Sequence, residues 1–299
     1  MMIAIAGGTG FVGKALVRDL VQNGHEVIVL TRKPSNGTGK FRYVQWLTEH
    51  SNPASALEGT DIFINLAGES INSGRWTDQR KKRILDSRLA AVRELLSIMT
   101  KMKRKPQAFI NASAIGFYGT SQDKTFTEKD PGSGEDFLSK TVIAWEQEAA
   151  KAEELGVRTV FCRFGIILDK REGALSKMIF PYQAFIGGTM GSGKQWMSWI
   201  HIEDVVKGIE FVMANRNFNG PVNFTAPAPV TMNEFGKSLS ELLRRPHWLP
   251  VPGFALRILL GEMSTLVIEG QRVLPNELLK HGYDFKYTEL KIALKNIFS

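Results

Sequence analysis

At 299 residues, 43% hydrophobic and 23% charged, the chain has ordinary globular composition and enough length for a full core. A formal net charge of +8 favours anionic ligands, and the single cysteine, Cys162, excludes an internal disulfide and suits a reducing compartment. Long apolar stretches such as FALRILLGEMSTLVI are broken by Arg257 and Glu262, which argues against a membrane span; with no signal-peptide pattern at the N-terminus, a cytoplasmic location is expected.

Ile3–Ala6 reads as a first strand, and Phe11–Val21 carries apolar residues at helical spacing. Asn23-Gly24 closes that helix. EVIVLT, FRYVQW and DIFINLAG read as strands two to four, a long helix is expected from about Thr77 to Lys103, and QAFINAS is strand five. A second long helix is expected over Leu138–Leu155, ending at Gly156, and VRTVFCRFGIIL follows as strand six. Nearly all-apolar strands alternating with helices predict an α/β fold of Rossmann type, with a doubly wound parallel sheet buried on both faces. Residues 1–168 form its expected dinucleotide-binding domain, to which 199–226 return. Residues 169–198 and 227–299 are expected to make a smaller, mostly helical C-terminal lobe over the substrate.

Four glycines, Gly7, Gly8, Gly10 and Gly13, stand between the first strand and the first helix. Glycine there permits a tight turn, lets a pyrophosphate approach bare backbone, and lets the helix pack on the strand. The segment Gly7, Thr9, Gly10, Phe11, Val12 and Gly13 would then offer its N–H groups to the anion at a helix N-terminus. After strand two, where an NAD site carries an acid for the ribose, the chain reads LTRKP: Thr31 and Arg32 with Lys33, and no carboxylate. A guanidinium pairs well with a 2′-phosphate, so NADP(H) is the expected cofactor.

The motifs GGTGFVG (7–13), DIFINLAG (61–68), NASAIGFYG (111–119), RFGIIL (163–168) and WIHIEDVV (199–206) stand in one order along the chain. With NLAGESI, RWT and GSGKQWMSWIHIED, this resembles the atypical, epimerase-like subgroup of the extended short-chain dehydrogenase/reductases, within the NAD-dependent epimerase/dehydratase superfamily. The resemblance covers nearly the whole chain. It implies an oxidoreductase or isomerase in which Leu66, Ala67 and Gly68 line the nicotinamide-ribose side, Arg163 and the segment after it wall the cofactor, Ser113 polarises a substrate oxygen, and Asp204 is structural.

The sequence departs from that family at one place. The Tyr-x-x-x-Lys pair expected on the helix after strand five falls on Phe137/Thr141 or on Leu138/Val142, neither of which has a phenol or an ammonium. Tyr118, five residues after Ser113, is a substitute acid or a structural loop residue. Glu69, Ser70, Arg75 and Trp76 follow strand four, placed to grip a substrate or to cap a loop.

Other patterns are weaker. GTMGSGKQ, Gly188–Gln195, follows the phosphate-loop spacing as far as Lys194, but Gln195 stands where a Ser or Thr must hold Mg²⁺, so an ATPase is excluded. The histidines at 25, 50, 201, 247 and 281 have no metal-ligand spacing, and His201 is the one near the expected cleft. The basic runs RKKR (80–83) and KMKRK (101–105) flank one helix and read as solvated ends rather than a nucleic-acid surface. The expected ligand is a small polar substrate, anionic in keeping with the charge. The rival reading is a catalytically inactive NADP(H)-sensing regulator with a protein partner. The two long helices are candidates for a homodimer contact.

Overall fold

The computed structural model describes residues 1–33, 41–49 and 51–299. The strands are β1 (Met2–Ala6), β2 (Glu26–Thr31), β3 (Phe41–Gln45), β4 (Ile62–Asn65), β5 (Ala108–Ala114), β6 (Thr125–Phe126), β7 (Arg158–Phe164), β8 (Ile166–Leu168), β9 (Trp196–Met197), β10 (Trp199–His201), β11 (Gly220–Phe224), β12 (Val230–Thr231) and β13 (Arg272–Val273). The helices are α1 (Phe11–Gln22), α2 (Asp78–Lys101), α3 (Phe137–Ala150), α4 (Gly173–Gln183), α5 (Ile202–Ala214), α6 (Met232–Leu243), α7 (Gly253–Leu260), α8 (Thr265–Ile268), α9 (Asn276–Lys280) and α10 (Leu290–Phe298). Seven strands form one parallel sheet in the order β11-β7-β5-β4-β1-β2-β3.

Alternation along each strand divides the core into two layers. On β1, Ile3 and Ile5 face α1 and α5, joining Leu16, Leu20, Val205, Ile209 and Val212. Ala4 and Ala6 face α2 and α3, joining Val92, Leu95, Met99, Trp145 and Ala149. The small side chains at 4 and 6 leave room for the larger ones of the two long helices. Both helices are capped as their sequences allow: Thr77 accepts from the Arg80 N–H at the start of α2, and Asp136 accepts from the Ser139 N–H at the start of α3.

Two expected boundaries move. The apolar run 157–168 is not one strand: at Gly165 the chain leaves the sheet, and β8 pairs with β10 instead. A Cβ at Gly165 would stand 2.5 Å from the Ser198 carbonyl oxygen, so only glycine fits the crossing. The second long helix ends at Ala150 and tightens into a 3₁₀ turn, Lys151–Leu155, closed by Gly156 at φ +73°.

A third apolar cluster gathers Leu175 and Ile179 of α4, Trp199, Phe235 and Leu239 of α6, and Leu290 and Ala293 of α10. It forms a separate core beneath α4, α6 and α10. The chain returns to the first layer of the main core at Leu278, Tyr283 and Phe285, where Asp204 at the start of α5 accepts from the Lys286 and Tyr287 N–H groups. No helix among the described residues is long and apolar enough to cross a membrane.

Candidate nucleotide site and adjoining cavity

The turn from β1 into α1 is built from the expected glycines. Gly7 has φ +78°, and a Cβ there would meet the Leu66 carbonyl carbon at 2.6 Å. A Cβ at Gly13 would strike the Gly7 carbonyl oxygen, so α1 can approach the turn only because position 13 is bare. Gly10 is the N-cap of α1. No side chain caps this helix and no acid lies in its first turn, while Thr9 and Gly10 are exposed and Phe11 and Val12 half-buried. The first-turn N–H groups are therefore presented at an accessible helix N-terminus, which suits the diphosphate of a dinucleotide.

Leu66 lies against this turn, its N–H donating to the Ala6 carbonyl at 2.8 Å; Ala67 and Gly68 continue along the carboxyl edge of the sheet. Thr31 ends β2 on the same edge, exposed Arg32 follows it, and the Arg32 carbonyl accepts from Gln45. Thus Gly7, Thr9, Gly10, Phe11, Val12, Gly13, Thr31, Arg32, Leu66, Ala67 and Gly68 come together on one edge, as a dinucleotide requires.

Beside them opens a cavity of about 490 Å³. It reaches from Phe11 to the start of α3, and its wall is mostly apolar, which does not suit the small polar substrate expected. Phe137, Leu138, Thr141 and Val142 all line it, so both alignments of the missing Tyr-x-x-x-Lys pair put unreactive side chains on the same wall. Phe137 packs edge-on against Trp76, ring centroids 5.2 Å apart. An apolar contact therefore occupies the face where a phenol was expected.

The cation in this wall is Arg88, on α2. Its Nη1 donates to the carbonyls of Glu69 (3.1 Å) and Ile84 (2.9 Å), and its guanidinium lies 5.1 Å from the centroid of the Trp145 ring. A Cβ on Gly68 would touch it at 3.3 Å. Burial lowers the Arg88 pKa to about 10, partly offset by the charge of Glu69, and the group stays cationic at neutral pH.

Ser113, Tyr118 and Arg163 stand elsewhere than expected. None of them lines the cavity. Ser113 donates to the Glu146 carboxylate, and Arg163 binds that carboxylate through Nε (2.8 Å) and Nη2 (2.7 Å). Arg163 Nη1 also donates to the Tyr118 hydroxyl, which in turn donates to Asn223 Oδ1 at 2.7 Å. Burial pushes the Tyr118 pKa up to about 12 against the opposing effect of Arg163. Tyr118 is thus a buried phenol engaged on both sides, and Arg163 is held in an internal ion pair with Glu146.

The remaining candidates resolve by their partners. His201 is buried, its Nδ1 accepts from the Glu203 N–H as the cap of α5, and its ring lies 3.9 Å from that of Tyr287. Lys194 is exposed, while Gln195 is buried and donates to the carbonyls of Met190 and Val267, so the glycine-rich loop at 188–195 is a folded turn without a following helix. The basic runs are largely used internally: Lys81 pairs with Glu262, Arg83 with Glu69, Arg104 with Asp61, and Lys105 donates to three carbonyls at the end of α2. Burial raises the Cys162 thiol pKa, as befits a core residue. Among the described residues no group of His, Cys, Asp or Glu could hold a metal ion, and His50 lies outside them.

The profile of the NAD dependent epimerase/dehydratase family matches residues 3–224, the whole sheet and its edge. The chain belongs to this family. A second profile, a domain of unknown function (DUF1731), matches residues 251–297. The epimerase family protein YfhF of Bacillus subtilis (strain 168) is 48% identical over 300 residues, covering 100% of this chain and 98% of its own. Epimerase family protein SAR0825 of Staphylococcus aureus (strain MRSA252) is 40% identical over 99% of this chain and 98% of its own. Among solved structures, the human epimerase family protein SDR39U1 (isoform 2), crystallised with NADPH, superposes with a TM-score of 0.90 at 32% identity, covering 99% of each chain.

Two functional candidates escaped the sequence reading, although a signal for each was present. Arg88 follows Ile84 by four residues and precedes Val92 and Leu95, so it sits on the buried stripe of α2. Glu146 sits beside Trp145, between Val142 and Ala149, on the buried stripe of α3. A charge on an inward stripe needs either a partner or a task.

Proposed function

We propose that this member of the epimerase/dehydratase family binds NADP(H) at the β1–α1 turn and works as an oxidoreductase on a small molecule held in the adjoining cavity. The reading is carried by the glycine cradle, where Cβ atoms at Gly7 and Gly13 would collide with backbone, together with a relative of 32% identity solved with NADPH. Gly7 to Gly13 hold the diphosphate, Arg32 pairs with the adenosine 2′-phosphate, and Leu66 to Gly68 flank the nicotinamide ribose. When bound, the cofactor supplies or accepts a hydride. Arg88 then acts as the oxygen-orienting group: its Nη1 is fixed by two carbonyls, leaving the rest of the guanidinium to polarise a carbonyl or to stabilise an alkoxide. The apolar wall of Phe137, Leu138 and Val142 excludes water from that contact. The proton enters from solvent on the open side of the cavity, away from that wall.

The test is NADPH titration followed by turnover over a panel of carbonyl compounds, with wild type and Arg88→Met compared. Submicromolar to micromolar NADPH binding in both, with oxidation only in wild type, is the expected result. An Arg88→Met enzyme as fast as wild type would remove Arg88 from the mechanism.

A second reading rests on one observation: unreactive side chains at 137, 138, 141 and 142. On it the protein is an NADP(H)-sensing regulator, which binds cofactor without consuming it and captures a protein partner only when loaded.

A further inference from the structure

Beside the first cavity lies a second, of about 520 Å³. Asn72, Ile166, Ala174 and Leu266 line both, so the two chambers share a wall. The second is set in the C-terminal lobe, under α7 and the turn that follows it. Its chemistry is unlike a nucleotide site. Four of the chain's ten methionines, Met178, Met190, Met232 and Met263, line it. Thioether side chains are unbranched and adaptable, and a cluster of them accepts flexible apolar matter of variable shape. Among the described residues its wall holds no carboxylate, and its two cations are turned to the protein: Arg75 Nη2 donates to the Ile258 and Leu259 carbonyls, and Lys177 Nζ to the Asn72 carbonyl. Tyr182, the phenol in the wall, is hydrogen-bonded to His247.

The surface above continues the same character. Leu256 and Leu260 of α7 face the chamber, while Phe254, Ile258 and Leu259 of the same helix are 68%, 74% and 65% exposed. Phe185 and Trp248 add exposed rings nearby, joined by a hydrogen bond from the indole to the Phe185 carbonyl. A helix apolar on both sides apart from exposed Arg257, roofing an apolar chamber, provides an apolar route between the surface and the interior.

We propose that the second cavity is a subsite for the hydrocarbon tail of the substrate, an acyl or isoprenoid chain whose oxygen-bearing head lies beside Arg88 in the first. This rests on the reading that the first cavity is the reaction chamber. The tail passes the shared wall at Ile166 and Leu266 and lies among the four methionines. It explains why both chambers are mostly apolar and why no phosphate partner is free in the second.

The experiment uses the full chain and a dansyl-labelled undecanoic acid as probe, displaced by unlabelled aliphatic aldehydes of four to sixteen carbons. NADPH binding is titrated in the same samples. The expected result is displacement that strengthens roughly fourfold per added methylene until the chamber is full. Met263→Trp, which fills the chamber, should cut probe affinity at least tenfold with NADPH affinity unchanged; Met178→Gln, which keeps volume but adds an amide, should weaken it severalfold. Displacement that ignores chain length, undiminished binding by both variants, or displacement by UDP-glucose would overturn the tail subsite. Retained NADPH binding in that case leaves the cofactor reading standing, whereas loss of NADPH binding in wild type defeats the cofactor reading itself. Flotation with phosphatidylglycerol/phosphatidylcholine vesicles, abolished by Ile258→Ser, identifies a bilayer source for the tail; probe binding without flotation identifies a soluble one, and either upholds the subsite.

Discussion

Glu146 and Arg163 face one another across the buried seam between α3 and β7, 2.7 Å apart, with side chains 9% and 4% exposed. Ser113 and Tyr118 are hydrogen-bonded to the same pair, and the guanidinium lies 3.5 Å from the centroid of the Phe117 ring. The network fixes the loop after β5, whose residues Ile115 and Gly116 wall the first cavity. Breaking a buried pair from one side leaves an uncompensated charge. Arg163→Met should therefore lose about 3–5 kcal/mol in urea unfolding. The double variant Arg163→Met/Glu146→Leu should lose clearly less than the single. A double variant no more stable than the single would refute this account.

Arg32 is predicted to choose between the two nicotinamide cofactors. Arg32→Ala should weaken NADPH binding at least tenfold, about 1.4 kcal/mol, and change NADH binding little. Isothermal titration of both cofactors checks it; equal losses would show that Arg32 does not read the 2′-phosphate.

The cradle predicts a sharper loss. Gly13→Val places a branched side chain against the Gly7 carbonyl, between α1 and the turn. NADPH binding should fall below detection. Because the same change disturbs helix packing, Gly10→Ala serves as the control. Its Cβ would meet only the Gly7 oxygen, at 3.2 Å, so the protein should fold and bind more weakly.

Arg88→Met should lower kcat by about 10²–10³-fold, the range seen when a single oxyanion donor is removed. Arg88→Lys should recover little, because a point charge cannot both hold the two carbonyls and reach the substrate. Steady-state kinetics with NADPH saturating separates this from a binding defect.

His201 predicts a pH dependence of stability. Burial lowers its pKa from the ordinary 6.5 to about 4, with Glu203 acting in the opposite direction. Between those values the unfolded chain binds a proton that the folded one refuses, so stability falls as pH drops from 6.5 towards 4. The full loss is on the order of 3 kcal/mol. His201→Asn keeps a cap for α5 and should flatten that part of the profile. Thermal melts at half-unit pH steps provide the measurement, and an unchanged slope in the variant would assign the effect to other groups.

Much of the fold was legible because its signals are local. The alternation of nearly all-apolar strands with helices, the glycines at 7–13 and the helical apolar spacing of Phe11–Val21 each follow from neighbours along the chain. The edge position of the nucleotide site followed from topology alone. What escaped was decided by residues far apart. Nothing near Arg163 in sequence announces Glu146, seventeen residues earlier on a helix, so a buried ion pair looked like a cofactor contact. Tyr118 reads as a plausible acid until Asn223, 105 residues later, is found at its hydroxyl. The end of strand six could not be placed at Gly165 without the Ser198 carbonyl that forbids a side chain there. Arg88 was readable in principle, since a guanidinium on an inward helical stripe is conspicuous once sought.

That same glycine has a mechanical consequence. Phe164, Gly165 and Ile166 are consecutive, all three border the first cavity, and they carry the backbone from the large sheet to the β8–β10 pair. A pivot of the lobe about this point would widen or narrow the chamber directly, while the diphosphate grip on β1 and α1 stays where it is. Under the proposed function, substrate exchange and cofactor retention would thereby be separable: product could leave through a widened chamber while the nucleotide stays held.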